Sequence, residues 1–165
     1  MTHALQVILL LGTIVAVSIL PGAAPLQAQG LGGVDSDAPQ TLLQIQQQVQ
    51  RRADALIAAT VAVRVGTNEA SGVIVTADGH VLTAAHVAGG SGRNAVITLR
   101  DGTELAGKTL GLNSDVDGAL AKIDQEGEWV HAPIASDQAM IQTGQWCIAT
   151  GHPGGLDLDR PPPLR

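Results

Sequence analysis

The sequence contains no phenylalanine and no tyrosine, and its aromatic residues are Trp129 and Trp146 alone. A core therefore has to be assembled from Val, Ile, Leu and Ala, which bury less surface per side chain than aromatic residues do. Cysteine is equally scarce. Cys147 is the single one, so no disulfide can form within the chain and a cross-linked mini-scaffold is excluded. Its surroundings, Gln-Trp-Cys-Ile-Ala-Thr, read as a strand interior, which makes Cys147 a small buried apolar residue rather than an exposed nucleophile. Positive charge is missing where nucleic-acid binders concentrate it. Nine Lys and Arg against fifteen Asp and Glu leave a net charge of −6. An acidic domain without a basic stripe argues against nucleic acid and anionic membrane surfaces as partners. Ahead of Asp35 there is no charged side chain at all.

That uncharged stretch carries the longest apolar run, Val7 to Leu20, followed by Pro21-Gly22 and by small residues at Ala24 and Ala28. The order is that of an export signal, with cleavage after Ala28 favoured and Ala24 the alternative. The run is short for a membrane span, which needs about 20 apolar residues. Export signals begin with Lys or Arg; here His3 is the ionisable side chain ahead of the run. Residues 1–28 are expected to be a signal peptide, which implies a periplasmic or secreted protein. Contact with a membrane would come through this segment alone, if it stays uncleaved.

What remains is enough for one domain, and a hydrophobic content of 45% suits a folded one. Residues 29–58 divide into a flexible linker, QGLGGVDS, and a helix expected over 38–58. Leu42, Ile45, Val49 and Leu56 keep to one helical face, and Thr41 and Gln44 have the spacing of a capping box. The helix is expected to dock on the domain; a contact between copies, hence a homo-oligomer, is the other role open to it. From residue 60 the hydrophobic period changes to two. TVAVRV reads as a strand and residues 66–71 as a loop. GVIVTADGHVLT reads as a hairpin turning at Asp78-Gly79, and AVITLRDGTELAGKTLGL as another turning at Asp101-Gly102. GALAKI and QWCIATG are further strands. Short strands with glycine-rich turns, and no alternation with helices, argue for an all-β barrel or sandwich.

The chemistry concentrates at 71–87, SGVIVTADGHVLTAAHV, where a hairpin delivers His86 at a strand end. LTAAHV resembles the histidine motif of trypsin-like serine proteases. The wider series SGVIVTADGHVLTAAHV, ITLRDGTELAGKTLG, SDVDGALAKI and TGQWCIATGHPGG is similar, in order and spacing, to the HtrA/Deg branch of exported bacterial proteases. The resemblance covers residues 40–155. It implies an all-β, trypsin-like double β-barrel, seen as the first barrel plus the start of the second and preceded by one amphipathic helix, so that 59–165 is a peptidase domain truncated at its C-terminus. It implies a serine-type endopeptidase acting on polypeptides, with His86 as general base and Asp117, directly before GALAKI, as the carboxylate that orients it. Asp115 is the rival for that role: two residues away, it would share a strand face with Asp117. The family usually has Leu or Ile where this chain has Gly118. No cofactor and no metal is implied, because triad chemistry needs neither.

The serine motif is missing. The family places Gly-x-Ser-Gly-Gly well downstream of the aspartate, whereas the one serine in residues 118–165 is Ser136, without a glycine elbow. Ser71 lies near the histidine hairpin but has no nucleophilic role in the family. The chain alone is therefore expected to be an inactive amino-terminal part of an enzyme. The alternatives are a non-catalytic protease-like binding module and one half of a split protease whose serine arrives in trans. The remaining polar residues carry less. His80 and His131 are expected to be solvated at a turn and a loop, and His152 in GHPGG to lie on a loop surface, at a position where the family often has Asn. The Asp124, Glu126, Glu128 cluster reads as solvated surface.

Overall fold

A computed structural model describes residues 5–10, 13–18, 38–134 and 147–152. Two short strands, β1 (Leu5–Leu10) and β2 (Thr13–Ser18), pair antiparallel near the N-terminus. Helix α1 (Ala38–Ala59) follows. No helix among the described residues is long and apolar enough to cross a membrane.

The body of the chain is a closed barrel of six antiparallel strands: β3 (Thr60–Val65), β4 (Asn68–Ile74), β5 (His80–Ala84), β6 (Asn94–Thr98), β7 (Glu104–Asn113) and β8 (Gly118–Ile123). Around the barrel they run β3-β4-β5-β8-β7-β6. A four-residue helix, α2 (Ala85–Ala88), leaves the end of β5. The period-two pattern explains the closure. Alternate residues of β7 and β8 point inward and are buried while their neighbours are exposed or half-buried. Val61, Val63, Val65, Ile74, Val81, Ala95, Ile97, Leu105, Ala121 and Ile123 fill the interior. A six-stranded barrel has room for branched aliphatic side chains of this size, which is why the shortage of aromatics is tolerated. Where two backbones come closest the sequence has glycine: a Cβ on Gly107 would lie 2.5 Å from both Ile97 Cδ1 and the Lys122 carbonyl oxygen.

Outside the barrel wall lies a second apolar layer. Leu56 and Ala59 of α1 meet Val73, Val75, Ala132 and Ile148 there. The helix thus docks by its C-terminal half, with Ala53, Leu56 and Ile57 buried, while Leu42 and Leu43 are exposed. The helix face expected from the sequence extends one turn too far at its start. Thr41 is also not a cap, since the helix begins at Ala38.

Two other readings need correction. Residues 66–71 are not a loop: Gly66 and Thr67 form a two-residue turn, Val65 pairs with Asn68, and β4 begins there. Its first residues are polar and exposed, so the strand lacks apolar alternation where it starts. Both hairpins turn at their Asp-Gly pairs, as expected. Gly79 N–H donates to the Thr76 carbonyl at 3.0 Å and Gly102 N–H to the Leu99 carbonyl at 2.9 Å, with both glycines at positive φ, 92° and 85°. Each is a four-residue turn closed by a left-handed glycine, the second common hairpin geometry. Finally, Cys147 is exposed. Of QWCIATG, residues 147–151 are described, and Thr150 makes an isolated bridge there instead of a full strand.

Candidate active site

β5 carries the sequence Leu-Thr-Ala-Ala-His toward one end of the barrel. The strand stops at Ala84 and the chain turns into α2, so His86 sits in a short helix rather than on the strand. Small side chains make this turn possible: Ala85, Ala88 and Ala119 pack together beneath it. Gly89, at φ 62°, ends the helix by donating its N–H to the Ala85 carbonyl at 3.0 Å. His86 is left on the outer side, with a side chain 56% exposed.

Asp117 reaches the same end from the turn 114–117 that joins β7 to β8. Its φ of 50° makes it the non-glycine residue with left-handed backbone among those described. Aspartate is among the few residue types that tolerate this conformation. The result is a grip on His86 at two points. Nδ1 of the ring lies 2.7 Å from Asp117 Oδ2, and the His86 backbone N–H donates to Asp117 Oδ1 at 3.0 Å. The Asp117 carbonyl also accepts the Ala85 N–H at 3.0 Å. The His86 amide first, then its ring, hold the Asp117 carboxyl below the usual carboxylate range. A carboxylate on Nδ1 fixes the proton there and leaves Nε2 as the basic nitrogen. Asp115, the rival, has its N–H on Asn113 Oδ1 at 2.9 Å, and the hydrogen bonds and ion pair of His86 go to Asp117 instead. Both aspartates lie in a turn, so strand periodicity has no bearing on them.

A second aspartate–histidine pair lies at the opposite end of the barrel. His80 Nδ1 is 3.1 Å from Asp78 Oδ1 and 3.0 Å from Thr76 Oγ1, and the His80 N–H donates to the same hydroxyl. Thr76 first, then His80, hold the Asp78 carboxyl below its usual range. His80 is thus half-buried and tied into the turn rather than solvated. These contacts all close the Thr76–Gly79 turn. His131 is exposed, as its position suggested. No group of three or more candidate metal ligands occurs among the described residues.

His152 contradicts its sequence reading. It is buried, with 4% of its surface accessible. Burial pushes its imidazole below the ordinary histidine value, and a hydrogen bond to the Thr60 backbone opposes this. Its main-chain N–H donates to Ser71 Oγ at 2.8 Å. A glycine-rich loop gives no local sign of such burial, because the covering residues come from β3 and β4. Ser136 lies outside the described residues.

The family model described as trypsin-like peptidase domain matches residues 70–160. A protein of Synechocystis sp. named as the serine protease HhoB is 42% identical over 87 residues, covering 53% of this chain and 20% of the relative. HhoA of the same organism is 37% identical over 89 residues, covering 54% and 22%. A protein of Rhizobium meliloti named as a DegP-like periplasmic serine endoprotease is 35% identical over 88 residues, covering 53% and 17%. The chain thus spans about a fifth of the length of these curated relatives.

Proposed function

The chain belongs to the trypsin-like peptidase family, and from that membership we propose that it is the histidine- and aspartate-bearing part of an exported serine endopeptidase of the HtrA/Deg type. The observation that carries this reading is the double grip of Asp117 on His86, ring to Oδ2 at 2.7 Å and amide to Oδ1 at 3.0 Å.

In the proposed reaction His86 Nε2 takes the proton of a serine hydroxyl as that oxygen attacks a peptide carbonyl, and later returns it to the leaving amine. Asp117 holds the ring in the tautomer the step requires and stabilises the imidazolium that forms. The nucleophile and the donors for the tetrahedral oxyanion come from chain beyond these residues, since no glycine-flanked serine follows Asp117 here. The substrates are exported polypeptides. The apolar segment at 7–20 directs the protein out of the cytoplasm and is removed after Ala28, giving a periplasmic or secreted enzyme.

Incubation of the natural full-length protein with an unfolded polypeptide such as casein tests the reading. Cleavage that His86→Ala abolishes is the expected result. Cleavage at the wild-type rate by that variant would refute the role given to His86.

A further inference from the structure

A buried polar seam, which the proposed reaction does not use, runs between β4 and the strand that leads to His86. Its members are Thr60, Ser71, Thr83, Thr150 and His152, each with less than a tenth of its surface accessible. Thr60 Oγ1 donates to the Leu56 carbonyl at 2.7 Å and lies 2.8 Å from Thr150 Oγ1. A hydroxyl has one proton to donate, so Thr150 is the donor in the second contact. Thr83 Oγ1 donates to the Ser71 carbonyl at 3.1 Å. Ser71 Oγ in turn accepts the main-chain N–H of His152.

The seam lies where the pairing of β4 with β5 ends. β4 and β5 pair at Ile74–Val81 and at Val73–Leu82, and there the ladder stops. Thr83 and Gly72 would be the next partners, and the Thr83 side chain supplies the cross-strand bond in their place. Thr83 also pairs with Ala119 of β8, two residues beyond Asp117, and stands two residues before Ala85, whose N–H holds the Asp117 carbonyl. A shift at Thr83 therefore reaches both members of the pair. The segment 147–152 is bound on β3 and β4, with Thr150 bonded to Thr60 and His152 to Ser71.

We propose that Ser71 and Thr83 are positioning residues: the 147–152 segment docks on Ser71, and Thr83 transmits that docking to β5, so that seating the second half of the peptidase on the barrel aligns His86 with Asp117. This rests on the proteolytic reading. The buried Thr83–Ser71 hydrogen bond fixes the register of β5 against β4. Misplacement of a general base by a fraction of its bond length is costly, because the reacting geometry is narrow.

The test uses the natural full-length protein with Thr83→Val, which removes the hydroxyl, and Thr83→Ser, which keeps it. Two readouts are taken: kcat and KM on a polypeptide substrate, and the downfield proton resonance of the His86 Nδ1–H bonded to Asp117. Thr83→Val should lower kcat about tenfold or more at unchanged KM and broaden or shift that resonance, and Thr83→Ser should recover both. Unchanged kcat in Thr83→Val, or equal loss in Thr83→Ser, would overturn the proposal. If the wild-type protein cleaves no polypeptide, the proteolytic reading fails and the resonance decides: unperturbed in Thr83→Val it refutes the positioning role, and perturbed in that variant alone it supports it. Should Thr83→Val not fold, Ser71→Ala, which removes the acceptor of the His152 N–H, is read in the same two ways.

Discussion

At the scale of single residues, the weight falls on Asp117, which combines a left-handed backbone with three accepted hydrogen bonds. Asparagine tolerates the same backbone and keeps an acceptor for the His86 amide, but it offers the ring the wrong partner. Asp117→Asn in the full-length protein should therefore lower kcat on the order of 10⁴-fold while leaving the melting temperature nearly unchanged. Asp115→Asn should leave kcat as it is, and steady-state kinetics on both variants separate the two aspartates. His152 makes a prediction about pH. Its folded pKa is depressed by burial, so the unfolded chain binds the proton more readily. Its contribution to stability is complete above the unfolded histidine value of about 6.5 and is lost as pH falls from there toward the folded value. Asp78 and Asp117 are also depressed, but from carboxylate values, and their contributions are lost only below about pH 4. Urea midpoints should thus fall between pH 8 and pH 5, and His152→Asn should flatten that fall.

At the scale of elements, most of the architecture could be read from the sequence, because the signal was local. The strands β3, β5, β6, β7 and β8 alternate or run apolar over their whole length, and α1 repeats with a helical period. What could not be read depended on distant residues. The first two residues of β4, Asn68 and Glu69, are polar, and pairing with β3 makes them a strand. The turn into α2 follows a strand sequence without a break. Leu42 and Leu56 stand on the same predicted helix face, yet Leu56 is fully buried and Leu42 is 67% exposed, because the barrel supports only the helix's second half. Leu56→Ala should accordingly destabilise the fold by about 2–5 kcal/mol, whereas Leu42→Ala should change it by less than about 0.5 kcal/mol. Chemical denaturation of the two variants measures the contrast.

At the scale of the whole molecule, the chain supplies a complete barrel and, at one rim, a histidine held by an aspartate. The candidate pair was legible because the motifs LTAAHV and VDGALAKI occur in the family's order. The buried seam was not, since its five members are scattered from Thr60 to His152 and only folding brings them together. The described segment 147–152 is held on the barrel by Ile148, which lies in one apolar layer with Val73, Val75 and Leu56.

In the proposed enzyme, His86 and Asp117 serve a serine supplied from outside these residues. Fluorophosphonate labelling of the natural full-length protein, read by mass spectrometry of the labelled peptide, tests this claim most directly. The expected result is one labelled serine in a glycine-flanked segment beyond residue 165, with labelling lost in His86→Ala. A full-length protein that takes up no label, or takes it up equally in His86→Ala, would contradict the claim.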